Sequence, residues 1–274
     1  MSSAPDMRTR ILVRAQSCRG HITRWARHEQ TFISWAGVAN QGPLRPSEQQ
    51  SNVTVSAISS DPEEGALGGE VQRRFSPPAY RLLEAADRLF YSQGVPATTV
   101  REITSACGLS PGALYNHFNS KDDLLYALVG HRHLRLERDI IAAQKLATGG
   151  PVSEFVAIIR VYVRAHIGGR QGAQVANREY IHLSGPRREE VIAIRRRLRD
   201  RMVSVLRRGS KSGVFDISGG SDKQSLTITA AVVLEMCINC SQWFRPQGDM
   251  TVEELELRFI DLSLRMVGCG PIPK

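Results

Sequence analysis

The sequence predicts an all-α protein of two helical domains, and three observations predict it. From Pro78 onward apolar residues recur at helical spacing, with no strand-like alternation. Glycine and proline then cut this periodicity into helix-length pieces, at Gly149-Gly150-Pro151, Gly168-Gly169, Gly185-Pro186, residues 209–213, Gly219-Gly220 and residues 246–248. Finally, residues 99–118 read as two short helices around a Gly-containing turn, an arrangement that presents one rigid helix to a DNA groove and braces it with another.

The totals fit that class. A chain of 274 residues has room for about two domains, and 42% hydrophobic with 23% charged residues suits a packed core in water. The net charge of +9 suits a polyanionic partner. Arginine supplies nearly all of it, and lysine is confined to Lys121, Lys145, Lys211, Lys223 and Lys274. Guanidinium groups suit phosphate, but the same bias arises from a GC-rich genome, and both origins stay open. Cys18, Cys107, Cys237, Cys240 and Cys269 are odd in number and scattered, which points to a reducing cytoplasm rather than a disulfide framework. No run of 18 or more apolar residues predicts a membrane span, and residues 31–39 are too short and too far in for a signal peptide. The expected location is the cytoplasm, with the nucleoid.

Residues 1–75 differ from the rest, being rich in Ser, Gln, Gly, Pro and Arg without a sustained period. They read as a disordered extension, as an upstream stretch translated from a start codon set too early, or as a basic arm adding non-specific phosphate contacts. Residues 76–130 form the expected helix–turn–helix domain. Leu82, Leu83, Ala86, Leu89 and Phe90 make the stripe of a first helix over 79–93, which Gly94 stops. Thr98 or Thr99 caps a second helix, with Glu102 completing a capping box, and Gly108 ends it. Ser110 caps a third helix with Pro111 in its first turn. Asn119 or Ser120 caps a fourth, with Asp122 and Asp123 well placed against its dipole. Further helices are expected over 120–147, 151–167, 170–183, 187–209, 222–245 and 251–267.

The string from Tyr80 to Val129 resembles the TetR family of regulators. The resemblance is carried by Ala85-Ala86, Leu89-Phe90, Gly94, Thr98-Thr99-Val100, Ile103, Gly108-Leu109-Ser110, Gly112, Leu114-Tyr115, His117-Phe118, Ser120-Lys121 and Leu124-Leu125. Thr104 and Cys107 stand where the family usually has alanines, and both are small enough to keep close packing. Arg178-Glu179-Tyr180, the helix over 189–208, Ser212-Gly213-Val214-Phe215 and Gln242-Trp243-Phe244-Arg245-Pro246 are similar to a branch that regulates fatty-acid and sterol-ring catabolism. The resemblance implies a homodimeric repressor on a palindromic double-stranded operator, released by a small-molecule effector such as an acyl-CoA thioester. The alternatives are a constitutive DNA-binding protein without effector and a drug-responsive efflux repressor.

By that resemblance Thr99, Tyr115 and Lys121 sit where the family touches phosphate. A hydroxyl at a helix N-terminus, a phenol and an ammonium are each apt for that task. Base readout falls to the start of the third helix, at Ser110, Pro111, Gly112 and Ala113, whose bareness allows close approach and contact with a thymine methyl. Asn116 suits adenine, His117 a phosphate or base edge, and Arg101 phosphate or guanine. The block is not basic: Arg81, Arg88, Arg101 and Lys121 face Glu84, Asp87, Glu102, Asp122 and Asp123. Its affinity is expected to draw on the Arg-rich neighbour at 131–138 or on the N-terminal arm.

Residues 131–270 form the expected ligand-binding and dimerisation domain. The apolar helix over 226–244, paired with 191–206, is the expected dimer seam. Tyr162, Arg164, His166, Arg178, Tyr180, Glu235, Asn239 and Trp243 are the candidate ligand residues. Glu235 and Asn239 interrupt an apolar helix one turn apart, which costs free energy unless a ligand or the interface satisfies them. Cys237-x-x-Cys240 lies mid-helix without a second pair, so core packing is expected rather than zinc or redox chemistry. No cofactor or metal is expected. No phosphate-cradling loop and no nucleophile–base pair is present in the sequence, so an enzyme is not expected.

Overall fold

The structure is a computed structural model and describes residues 75–245, 248 and 250–269. The N-terminal extension lies outside these except for Phe75, whose ring packs on Phe118 at 6.0 Å. Among the described residues the protein is all-α, as expected, with no strand.

Helix α1 spans Pro77–Ala97 but breaks at Gly94, whose φ of 79° suits a residue without Cβ. The capping box that opens α2 (Val100–Ser105) belongs to Thr99: its hydroxyl accepts from the Glu102 N–H at 3.2 Å, and Glu102 accepts from the Thr99 N–H at 2.7 Å. Gly108, at φ 68°, reverses the chain after it.

The third helix departs from expectation. Pro111–Asn116 is a 3-10 segment, and Ser110 occupies its cap position without a side-chain cap bond. Six residues opening with Pro-Gly make few i→i+4 bonds, so the shorter bonds from Ala113 N–H to Ser110 and from His117 N–H to Leu114 prevail. Ser120 then caps α3 (Lys121–Leu146), accepting from the Asp123 N–H at 3.0 Å.

The remaining helices match the expected segments within a few residues. They are α4 (Pro151–Gly168), α5 (Arg170–Glu179) with the 3-10 turn Tyr180–His182, α6 (Gly185–Lys211), α7 (Lys223–Trp243) and α8 (Val252–Met266). By length and composition α7 is apolar enough to cross a membrane, which a search for unbroken apolar runs misses. One face of it, with Leu226, Ala230, Val233 and Cys237, packs inside the protein.

Two apolar clusters fill the interior. The body cluster joins Phe155, Ile158 and Ile159 of α4 to Met202 and Leu206 of α6, Val233 and Cys237 of α7, and Phe259 of α8. The head cluster gathers Leu82, Leu83, Phe90, Ile103, Leu114 and Phe118, together with Val175, Leu183 and Val191 from beyond the head. The head is therefore cored partly by α5 and α6. Cys107, Cys237 and Cys240 are free thiols, whereas Cys269 is disulfide-bonded, so the scatter of cysteines did not exclude a bridge.

Candidate functional site

The head presents one exposed edge. Thr99, Arg101, Ser110, Pro111, Gly112, Tyr115, Asn116 and His117 are all exposed and Ala113 is half-buried, while Leu114 and Phe118 point inward as anchors. A Cβ built on Gly112 would meet nothing within 4 Å, so this edge is open to close approach. Lys121 is placed differently from the other candidates. Its ammonium donates to the carbonyls of Val95 at 2.9 Å and Thr98 at 2.7 Å, closing the broken end of α1. Two of its three N–H groups are thus engaged before any phosphate arrives.

The Arg-rich neighbour at 131–138 is divided. Arg132 turns inward near the buried Asp87, and Arg135 and Arg138 both lie on Asp139. Arg135 and Arg138 share that one carboxylate and stay partly exposed, so only Arg132 is drawn inside.

Two sets of polar contacts join head to body. From α5, Gln171 donates to Asp87 at 3.0 Å, Arg178 donates to the carbonyls of Phe90 at 2.9 Å and Tyr91 at 3.1 Å, and Glu179 accepts the Val95 N–H at 2.9 Å. Burial raises the Asp87 carboxyl above its usual range, opposed by the Arg132 guanidinium and the Gln171 amide. Gly169 and Gly172 make room for that guanidinium, since a Cβ at either would collide with it. From α6, Arg187 bonds Asp122 at 2.9 Å and Asp123 at 2.5 Å, and the Ser184 N–H donates to Asp122 at 2.9 Å. The Tyr126 hydroxyl donates to Glu190 at 2.5 Å, and burial with that carboxylate pushes the phenol up to about 12.

The eight candidate ligand residues divide into three groups. Tyr162 and His166 are buried on α4 with their rings stacked at 5.8 Å, beside a polar cluster inside the body. His166 Nδ1 meets the Tyr162 carbonyl at 2.7 Å, and its Nε2 accepts from Asn177 at 3.1 Å. His133 on α3 repeats the pattern, with Nδ1 on the Val129 carbonyl at 2.8 Å and Nε2 facing Arg195 at 3.1 Å. Burial pushes both imidazoles down to about 4, so both are neutral near pH 7. Tyr180 borders this cluster under the Arg195 guanidinium, 4.6 Å from its ring centroid.

Arg164 and Arg178 turn elsewhere. Arg164 pairs with the buried Glu256 of α8, and Arg178 braces α1. Neither faces the inner cluster.

Glu235, Asn239 and Trp243 share an outward groove between α7 and α8 with Val232, Met236, Met250, Leu255, Arg258, Phe259 and Leu262. Asn239 donates to the Glu235 carboxylate at 3.0 Å, so the two satisfy each other. Ile228, Val232, Trp243 and Leu262 are large, apolar and about half exposed on these helices. The two helices of the expected seam differ in what they leave exposed. The stripe of Val191, Ile194, Leu198, Met202 and Leu206 on α6 is buried within the protomer, and the free apolar face belongs to α7 with α8.

Cys237 and Cys240 are both buried, and burial pushes the Cys240 thiol up to about 11 and Cys237 higher still. They are core residues. Among the described residues no His, Cys, Asp and Glu cluster could hold a metal ion. Sequence reading missed Asp87, His133, Asn177, Arg187 and Arg195. The available signal was polar residues set on helix faces that otherwise read as core.

Comparison with known proteins gives the same account. Residues 82–128 match the family model described as bacterial regulatory proteins, tetR family, and residues 148–267 match the tetracyclin repressor-like C-terminal domain. The chain is 28% identical over 192 residues to the HTH-type transcriptional repressor KstR2 of Rhodococcus jostii, covering 67% of this chain and 87% of that protein. It is 31% identical to the TetR family transcriptional regulator PfmR of Thermus thermophilus, whose crystal structure superposes with a TM-score of 0.55 over 68% of this chain and 97% of PfmR. The fold is also that of AibR, solved in complex with isovaleryl coenzyme A and operator DNA, at 22% identity and a TM-score of 0.59 over 69% of this chain and 98% of AibR. These relatives are transcriptional regulators and not enzymes. The chain belongs to the TetR family of DNA-binding transcriptional regulators.

Proposed function

We propose that the protein is a repressor acting as a homodimer in the cytoplasm, released from a palindromic operator by an acyl-CoA thioester. The observation that carries this reading is the position of α5. One side of this helix grips α1 through Gln171, Arg178 and Glu179, and another reaches the inner cluster through Asn177. A ligand that binds better when α5 has shifted draws the head with it, and operator affinity falls by linkage.

Dimerisation supplies what one head lacks. A single helix–turn–helix contacts few base pairs, and two heads on a two-fold axis read half-sites one helical turn apart. The open apolar face of α7 and α8 is the surface for that axis. The acyl-CoA assignment draws support from the isovaleryl coenzyme A complex of AibR and from KstR2, described in Mycobacterium tuberculosis as a ketosteroid transcriptional regulator. The likeness to KstR2 supports lipid catabolism as the regulated process.

The test combines a thermal-shift screen against acyl-CoAs of graded chain length with release of the protein's genomically selected operator. Stabilisation by one acyl-CoA together with operator release is the expected result. Operator binding that no acyl-CoA alters, with no thermal shift, would sink the reading in favour of a constitutive DNA-binding protein.

A further inference from the structure

We propose that Arg195 is the anion-reading residue of the effector site, seating a carboxylate or phosphate group beside the ring of Tyr180. This inference rests on the effector-released reading above and names the chemistry that the effector must carry.

The arginines that link helices here fall into two kinds, and Arg195, like Arg170 and Arg201, meets neutral acceptors on the neighbouring helix. Arg164, Arg187, Arg197 and Arg208 each meet a carboxylate on another helix. Arg195, half-buried on α6, forms no ion pair with any described carboxylate. Its Nη1 instead donates to two neutral acceptors, Asn177 Oδ1 at 2.8 Å and His133 Nε2 at 3.1 Å. Its flat face lies over the Tyr180 ring at 4.6 Å.

Each of those neighbours is itself fixed. With its Nδ1–H given to the Val129 carbonyl, His133 can offer Nε2 only as an acceptor. Asn177 donates to His166 Nε2 and to the Ala173 carbonyl at 2.9 Å, which turns its Oδ1 toward Arg195. Burial keeps both imidazoles neutral, so they orient the guanidinium without cancelling its charge. A partly desolvated cation held by neutral groups costs free energy in the empty protein, and an incoming anion recovers it. The Nε and Nη2 groups make no bond with any described residue. They offer the two-pronged edge that matches a carboxylate or two phosphate oxygens.

The position suits control as well as binding. Tyr180 opens the short turn between Glu179, which holds the Val95 N–H, and Ser184 with Arg187, which hold Asp122 and Asp123. An anion that draws Arg195 and Tyr180 together therefore acts on both attachments of the head.

The full chain is titrated calorimetrically with three probes: isovaleryl coenzyme A, which carries phosphates; isovalerate, which carries a carboxylate; and isovaleryl-pantetheine, which carries neither. The expected result is that an anionic probe binds the wild type and loses about tenfold to a hundredfold in affinity in R195Q. R195K keeps the charge but not the fork and falls between, and it carries the comparison if R195Q does not fold. The neutral probe binds wild type and variants alike. Loss confined to isovaleryl coenzyme A assigns a phosphate, and loss confined to isovalerate assigns a carboxylate. Equal affinity of wild type and both variants for the anions, or no anion binding by the wild type, overturns the proposal. Operator release is followed with the same probes. Release by the neutral thioester, unchanged in R195Q, keeps the effector reading and removes Arg195 from it. Arg195-dependent binding without release by any probe removes the effector reading alone.

Discussion

Arg187 and Asp122 join the first turns of two helices that start together and run side by side: the guanidinium of α6 lies 2.9 Å from the carboxylate that opens α3. Asp122 and Asp123 also stabilise the N-terminus of α3 through its dipole, so one carboxylate pair serves helix start and domain contact together. Because both partners are partly exposed, the pair contributes modestly to stability, about 0.5–1 kcal/mol. A double-mutant cycle of R187A and D122N, read by urea unfolding, should return a coupling of that size. Strict additivity of the two substitutions would show that the contact does not hold the head.

Gly112 and Gly108 separate binding from folding. Gly112 has open space where a side chain would go, so Gly112→Ala should leave the melting temperature within a degree or two and weaken operator binding by about tenfold or more through lost close approach. Gly108 also has space, but its φ of 68° penalises any Cβ, so Gly108→Ala should lower stability by about 1–2 kcal/mol. Unchanged operator affinity in Gly112→Ala would remove that residue from the interface.

Gly209 shows the opposite constraint. A Cβ there would run into the ring of Phe215, which itself packs on Phe155 at 5.4 Å between centroids. Gly209→Ala should cost about 1–3 kcal/mol by overpacking. Phe155→Ala should cost about 3–5 kcal/mol by leaving a cavity. Chemical denaturation measures both, and a neutral Gly209→Ala would mean that Phe215 has room to move.

The buried imidazoles set a pH dependence. His133 and His166 sit at about 4 in the folded protein, against an ordinary value near 6.5, with Arg195 and Arg132 as the nearby cations. The unfolded chain therefore binds protons more readily over that window. Stability is at its full value above about pH 6.5 and declines as pH falls toward 4. Unfolding free energies measured across this range should fall with a slope approaching two protons. His133→Gln with His166→Gln should flatten it, and an unflattened slope would place its origin elsewhere.

The α7–α8 face yields a fifth measurement. Leu262 is 47% exposed in the groove that it lines with Trp243, so Leu262→Arg places a charge where the second copy should pack. Sedimentation should show the wild type as a dimer and the variant dissociating at least about tenfold more readily, with operator affinity falling in parallel. A variant that remains dimeric would move the two-fold axis to another face.

Helix existence was legible because glycine and proline mark the breaks and the apolar stripes are unbroken between them. Gly94, Thr99, Glu102 and Gly108 could each be assigned a local role, since capping and chain reversal depend on a few adjacent residues. The exposed edge of the head was legible for the same reason. The inner cluster was not: His133, His166, Asn177 and Arg195 come from four helices, and nothing in local spacing says that they meet. Arg164 and Arg178 were suited to a ligand by type, yet Glu256 and the carbonyls of α1 hold them, partners far away in sequence. For the apolar stripe of α6, composition shows that it is apolar and not that the protomer's own core covers it.

The 3-10 winding of Pro111–Asn116 has a consequence for register. At three residues per turn, Gly112 eclipses Tyr115 and Ala113 eclipses Asn116, so the backbone opening and the side chains above it fall in line. Rewound as an α-helix, the same six residues would shorten by about 3 Å and rotate each pair apart by about 60°. The pitch of one short segment thus sets the angle between bare backbone and long side chain, and an operator that rewinds it would meet those same residues in a different alignment.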